Sequence, residues 1–453
     1  MSMKAVGTFF DFVCIGMMVG MSILYTVSIF TLGCLLYTIF TGDSFQYSLI
    51  NCLLLVEGIF LIYQELHYNY LYDYSSDHLP PMGEDLFPTL LQEVEDNSQD
   101  TQAWIEGWFF NTKFENVSKP DLYEWMGNTF FHRHIDNLTT KEFALLSDIV
   151  KILEEKHLIK FPEHNMKNQK KILLTNDAPL IINRPLLYYT SIKAFDIVCQ
   201  MGFLYLGFKI TDLKNGMKVY YRKGTSKLPI VFFHGLGIGV STYVPFFQQM
   251  LQRTPDLTIV MFEMTSVSMR LDDRHILPKD YAQLVTNNLE KLEISKAIFI
   301  GHSIGTACLR WIEAYKPELI HSRIFIDPIC FQLWTHDIAH NALYRTPTTN
   351  NQIIIKFIAM CEPGIAIFLH RNFVWFENTY FTSQLPTTGK SIVYLSKLDD
   401  IVNTDSVYKY LNNNNHPNRQ IHMMDELCHG QMVFHSTAKL IFDDVQAMLN
   451  ELE

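Results

Sequence analysis

The stretch Gly301-His302-Ser303-Ile304-Gly305 limits what this chain can fold into more than any other segment. The apolar run Ala297-Ile298-Phe299-Ile300 precedes it and reads as a buried strand. Thr306 to Ala314 comes after it and reads as the start of a helix. A strand that turns this sharply into a helix strains the residue at the corner and exposes its side chain, the geometry of a nucleophile elbow. Side chains two positions to either side would collide across the turn, which explains why glycine stands at Gly301 and Gly305. The helix would point the positive end of its dipole at the space in front of Ser303.

The rest of the chain narrows the chemistry. Among 453 residues, 13% are aromatic and 18% charged, an apolar balance for a soluble protein. A net charge of −11 with no basic face argues against a nucleic-acid partner. The eight cysteines have neither C-x-x-C nor zinc spacing, so neither a metal site nor a disulfide framework is expected. No cofactor is expected either. The glycine-rich loop His234-Gly235-Leu236-Gly237-Ile238-Gly239 has valine at position 240, where a dinucleotide fingerprint would need glycine, and no Lys-Ser/Thr pair comes after it.

The N-terminus is expected to lie in a membrane. Phe12 to Phe40 carries no charge. As a helix it would span ~43 Å, more than a ~30 Å hydrocarbon core. A turn at Thr41-Gly42-Asp43-Ser44 leads to a second apolar run, Phe45 to Tyr63, with Glu57 inside it. A carboxylate at mid-bilayer costs about 2.5–3.5 kcal/mol on insertion scales. Glu57 would therefore be protonated, face the first helix, or mark a run that does not fully span. The two runs read as a transmembrane helical hairpin over residues 1–65. Lys4 favours a cytosolic side for the downstream domain, and the sequons at Asn116 and Asn137 favour a lumenal one; the reading adopted is cytosolic. The endoplasmic reticulum and the lipid-droplet surface are the membranes considered.

Residues 66–200 read as an acidic connector and a helical, aromatic-rich region. Positions 84–106 hold seven acids and no bases, as a solvated connector with helical pieces would. Trp104, Trp108, Phe109, Phe110, Trp125, Phe130 and Phe131 need burial against the downstream domain or the membrane. Thr139-Thr140-Lys141-Glu142 predicts a capping box and a helix to about His157, with Phe143, Leu146, Ile149, Val150 and Leu153 on its buried face. Strand signals begin near Phe203. They continue at Leu206–Thr211, Met217–Arg222, Pro229–Phe233, Leu257–Phe262, Ala297–Ile300, Ile324–Ile326, Ser391–Leu395 and Gln420–Met423. Helical patterns between the later ones predict a mainly parallel sheet with helices on both faces over residues 201–453.

A serine at its free pKa is a weak nucleophile and needs a base. Of seventeen histidines, His429 lies after the last strand, with His422 and His435 as rivals. The base needs an acid, and Asp399, Asp400 and Asp327 all come after strands at the end of the sheet where α/β folds bind ligands. An oxyanion would be held by the amides of Leu236 and Ile304.

His234-Gly235-Leu236-Gly237, the Ser303 pentapeptide, Asp399 with Ile401-Val402, and His429-Gly430 stand in this order on the expected elements. Over residues 203–453 the chain thereby resembles the α/β-hydrolase superfamily, and specifically membrane-anchored fungal-type serine hydrolases. The resemblance implies an α/β-hydrolase fold, a cap at about 330–390, and a triad of Ser303, His429 and Asp399, the acid two residues before an Ile-Val pair. It implies hydrolysis of a carboxylic ester, lipid-like given the apolar cap, with membrane lipids as partners. An acyltransferase on the same fold and an inactive membrane scaffold are the alternatives.

Overall fold

The computed structural model describes residues 20, 23–24, 26–42, 49–72, 78–97, 101–164, 168–213, 216–271, 274–385, 389–413 and 418–451. Lys4, the apolar run before Gly20, the Asp43-Ser44 turn and the Lys214-Asn215 turn lie outside them.

Eight strands form one sheet in the order β1-β2-β4-β3-β5-β6-β7-β8. β1 (Lys209–Asp212) pairs antiparallel with β2 (Lys218–Arg222), and β2 antiparallel with β4 (Ile259–Phe262). β3 (Ile230–Phe233), β4, β5 (Ala297–His302), β6 (Ile320–Ile326), β7 (Ser391–Ser396) and β8 (Arg419–Met424) are mutually parallel. The central strands are buried on both faces, which is why they read as unbroken apolar runs. Alternation along each strand divides the core in two. Ile230 and Phe232 of β3 join Ile259, Ile298 and Ile324 on one face. Val231 and Phe233 join Val260, Phe299 and Phe325 on the other. The first face is covered by α8 (Val244–Arg253) and the last helix, Ala438–Asn450. The second is covered by α9 (Pro278–Lys291) and α10 (Gly305–Tyr315).

Upstream of the sheet, α1 (Thr26–Thr41) and α2 (Leu49–Tyr72) touch where α2 has Gly58; a Cβ there would lie 3.1 Å from the Ser28 carbonyl oxygen. Among the described residues, α2 alone is long and apolar enough to cross a membrane, through Leu49–Tyr68 with mean hydropathy 1.7. Glu57 is turned toward a helix beyond the two apolar runs. Its carboxylate accepts the N–H groups of Leu186 (2.6 Å) and Leu187 (2.7 Å), the first two residues of α7 (Leu186–Tyr205). These are orphan donors of a helix start, and Pro185 before them has no side chain to cap them.

Phe203 is not in a strand. It is buried inside α7, which runs on to Tyr205 and breaks before Gly207 (φ +85°). The described part of residues 84–106 has the expected helical pieces but is not solvated throughout. Within them α3 (Leu86–Asn97) and α4 (Thr101–Trp108) bury Leu90, Val94 and Ile105, and even Glu93 is buried, accepting from Tyr410 Oη at 3.0 Å. α5 (Lys119–Phe131) carries Trp125, which packs against Trp104, Trp108 and Phe109. α6 spans Thr140–His157 with the expected reciprocal box between Thr139 and Glu142. Leu146, Ile149, Val150 and Leu153 are buried, but Phe143 is exposed, its ring lying 5.0 Å from Tyr123.

Candidate active site

Ser303 sits at the end of β5 with φ +53°, a left-handed conformation that an L-residue adopts only under constraint. A Cβ on Gly305 would fall 2.3 Å from the Phe233 carbonyl oxygen, and one on Gly301 would fall 2.7 Å from the Gly305 carbonyl oxygen. β3, β5 and α10 thus meet backbone to backbone, and only glycine fits.

The turn lifts Ser303 Oγ to within 2.8 Å of His429 Nε2. His429 Nδ1 is 2.6 Å from Asp399 Oδ2. With a neutral imidazole, the serine hydroxyl donates to Nε2 and the Nδ1–H donates to Asp399. Asp399 Oδ1 accepts from the N–H groups of Ile401 (2.7 Å) and Val402 (2.8 Å), which fixes the carboxylate. Burial works against the imidazolium, yet Asp399 first, then Asp327 and Asp400, raise the His429 pKa to about 9.

The rivals go elsewhere. Asp400 turns to the cap, accepting from Asn351 Nδ2 (2.5 Å) and Gln352 Nε2 (2.8 Å). Asp327 is fully buried at φ +44°; its oxygens accept from Ser396 N (3.0 Å) and Gly430 N (2.8 Å). It pins β7 and the His429 loop to β6. Burial raises its pKa to about 6, with Asp399 adding to the rise. His422 stacks on Tyr394 (4.8 Å) within the sheet, and His435 faces Thr437 (3.1 Å). Asp327, Asp399 and His429 are close enough to hold a cation. Their facing atoms, however, are already committed to the bonds just described.

The loop after β3 is anchored by contacts that the sequence did not disclose. His234 Nδ1–H donates to the Gly235 carbonyl (2.7 Å), and its Nε2 accepts from Met264 N (2.8 Å). The Tyr243 hydroxyl accepts from Gly235 N (2.9 Å) and donates to His302 Nδ1 (2.6 Å). One buried tyrosine therefore ties the loop to the elbow. Burial lowers the His302 pKa to about 3, so its ring is neutral and can accept that bond. Gly237 N donates to the Val267 carbonyl (3.0 Å). Leu236 and Ile304 then flank Ser303 at one cavity. No local sequence pattern marks Tyr243 as a partner of His302, because the pair is 59 residues apart.

That cavity is almost wholly apolar and holds only about 70 Å³ of free volume. Ile338, Ala342, Met360 and Phe373 come from the segment between β6 and β7. Trp108 and Leu174 come from the region upstream of α7. The upstream aromatics thus help to build the pocket, and Trp104 Nε1 (2.9 Å) and Trp108 Nε1 (3.3 Å) both donate to the Trp334 carbonyl. Two π-helical turns, His340–Tyr344 and Ile355–Met360, form part of the cover.

No protein-family model matches the sequence. The chain is 25% identical over 194 residues to a protein of Mycobacterium phage D29 that carries the provisional name of non-heme haloperoxidase; the match spans 42% of this chain and 63% of that protein. Among solved structures, naproxen esterase from Bacillus subtilis aligns with a TM-score of 0.43 at 14% identity, covering 57% of this chain and 98% of the esterase. A meta-cleavage product hydrolase from Pseudomonas fluorescens aligns at 0.42 and 15%, covering 55% and 100%. A bacterial membrane phospholipase A aligns at 0.42 and 14%, covering 57% and 93%. The molecule's own sheet order, elbow and loop positions are those of an α/β-hydrolase fold.

Proposed function

We propose that this protein is a membrane-anchored serine hydrolase that cleaves a carboxylic ester with a lipid-like acyl group. The observation that carries the reading is the row Ser303–His429–Asp399, whose serine lines an apolar cavity. Ser303 Oγ attacks the ester carbonyl while His429 Nε2 takes its proton. The oxyanion is held by the amides of Leu236 and Ile304. Collapse of the tetrahedral intermediate breaks the bond to the alcohol, which leaves with the proton from His429. Water, activated by the same imidazole, then releases the acid and restores Ser303. Asp399 keeps the imidazole in the productive tautomer and stabilises its cation. The apolar α2 supports membrane anchoring, and the cytosolic side for the catalytic region is the orientation that Lys4 favours.

The test is labelling with a fluorophosphonate probe, followed by ester hydrolysis. Wild type should be labelled and Ser303→Ala should not, with turnover lowered by about 10⁶. Labelling that persists in Ser303→Ala would refute the assignment. An unlabelled but folded wild type would leave a scaffold.

A further inference from the structure

A second cavity lies beside the first and is much roomier. It holds about 550 Å³, within the range of small-molecule sites, whereas the space at Ser303 holds about 70 Å³. α7 forms one wall with Leu187, Ile192 and Phe195, Ile238, Met269 and Ile358 form a second, and Gly20 and Leu24 of the N-terminal apolar run also line it. No charged residue lines it among the described residues. Its two polar side chains are already used internally. Ser191 Oγ donates to the Leu187 carbonyl (2.7 Å), and Tyr188 Oη donates to Met269 Sδ (3.1 Å). The groove thus offers an occupant hydrocarbon contact and almost nothing for a polar headgroup.

The groove and the Ser303 cavity share two walls. Leu236 lines the catalytic cavity and Ile238 lines the groove, on one loop. Ile358 lines the groove and Met360 lines the catalytic cavity, on one π-helical turn. Between them, Leu236, Met269, Ile358, Ile365 and Leu369 pack as a single apolar cluster with Tyr188 and Ile192. A π-helical turn has looser hydrogen bonding than an α-helix and recurs at functional positions. A shift of the Ile355–Met360 turn would join the two spaces, and it would have to carry or break the bonds from Lys356 Nζ to the Arg345 carbonyl and from Arg184 to the Phe357 carbonyl.

The outer side of the groove continues into an apolar surface. Phe195, Val198, Met201 and Leu204 of α7 are exposed, Val198 by 63%. That helix is joined at its start to α2 through Glu57 and Leu186, and through Gln64 and Tyr189 (3.4 Å). α2 is itself exposed at Leu53, Val56 and Ile59 and is long enough to cross a membrane. Water is a poor cover for two such joined faces, and lipid is a good one.

We propose that this groove binds one acyl chain of a membrane lipid and is the lateral doorway by which the ester reaches Ser303. The inference rests on the hydrolase reading above and adds the route and the physical state of the substrate: a lipid drawn sideways from the bilayer.

The experiment uses the full chain in phosphatidylcholine vesicles that contain phosphatidylcholine with a diazirine on its acyl chain. After illumination, peptides carrying Ile192–Phe195 and Ile358 should be labelled, and excess oleic acid should lower that labelling about tenfold. Labelling of the exposed α2 face near Leu53 should not change with oleic acid, since bulk lipid covers it. In Ile192→Trp and, separately, Ile358→Trp, groove labelling should fall. The ratio of long-chain to butyrate ester turnover should also fall by about tenfold or more, the size of effect expected when an apolar subsite is filled. Circular dichroism reports which variants are folded. Groove labelling that oleic acid does not displace, or an unchanged chain-length ratio in both folded variants, would overturn the proposal. If the fluorophosphonate probe labels Ser303 and the groove stays unlabelled, the doorway fails alone. If the groove is labelled in both wild type and Ser303→Ala while no probe ever reacts, the hydrolase reading fails and the lipid site stands.

Discussion

Two carboxylates face His429, and they do different work. Asp399 contacts its Nδ1 directly, whereas Asp327 holds the next amide along, Gly430 N. Asp399→Asn should lower kcat by about 10³–10⁴ because an amide cannot fix the same tautomer. Asp400→Asn should cost far less, since Asp400 bonds to the cap and not to the histidine. The pH profile separates the third aspartate. Only the neutral imidazole accepts the serine proton, so with a pKa raised to about 9, kcat/KM should climb through that region and then level off. Asp327 is one of the charges that raise it. Removing that charge in Asp327→Asn stabilises the neutral ring, so the acidic limb should move to lower pH. A limb that stayed in place would show that Asp327 acts on stability alone, and one that moved up would contradict the sign of its effect on His429.

At the scale of single elements, the sequence was legible where a pattern is local. The Thr139–Glu142 box gave α6 to its last residue, and each apolar run of four to six residues marked a buried strand to within a few positions. Ser303, His429 and Asp399 could be read as candidates because each lies just past a strand, where side chains converge regardless of detail, and the structure brings the three within hydrogen-bond reach. What escaped was non-local. α7 reads as strand near Phe203 because its buried aromatic sits beside exposed apolar residues, which hides the helical period. The acids of α3 looked solvated because Tyr410, partner of Glu93, is 317 positions away. Glu57 is the clearest case, since its role depends on a helix start 129 residues on. Glu57→Ala strips both amides of their acceptor and should cost about 1–2 kcal/mol, seen as a lower Tm in detergent. Glu57→Gln keeps an amide oxygen and should lose less. Equal Tm values for Glu57→Ala and wild type would mean the cap contributes nothing to stability.

At the scale of the molecule, the regions upstream of the sheet belong to the site. α4 and Leu174 wall the Ser303 cavity, and α2 holds α7, which forms the outer groove. Anchoring by α2 first predicts that the protein stays with membranes through alkaline carbonate extraction; release into the supernatant would refute integral insertion. Sidedness has its own readout, because Asn116 and Asn137 are both exposed. On the cytosolic side they stay unmodified, so glycosidase treatment should not change mobility. The sharpest consequence concerns truncation. If α1 and α2 were a detachable tether, removing residues 1–72 would release a soluble domain of full activity. The contacts say otherwise. Leu61 and Tyr68 of α2 are buried, Phe60 packs edge-on to Tyr189 (6.0 Å), and Glu57 closes the start of α7. Deletion would uncover these surfaces next to the apolar face that α7 already exposes. The truncated chain should therefore aggregate without detergent. In detergent it should label more weakly with a fluorophosphonate than the full chain, because the α7 wall of the groove has lost its support. A monomeric, fully labelled truncation in plain buffer would show that the α2–α7 contact is dispensable for the fold.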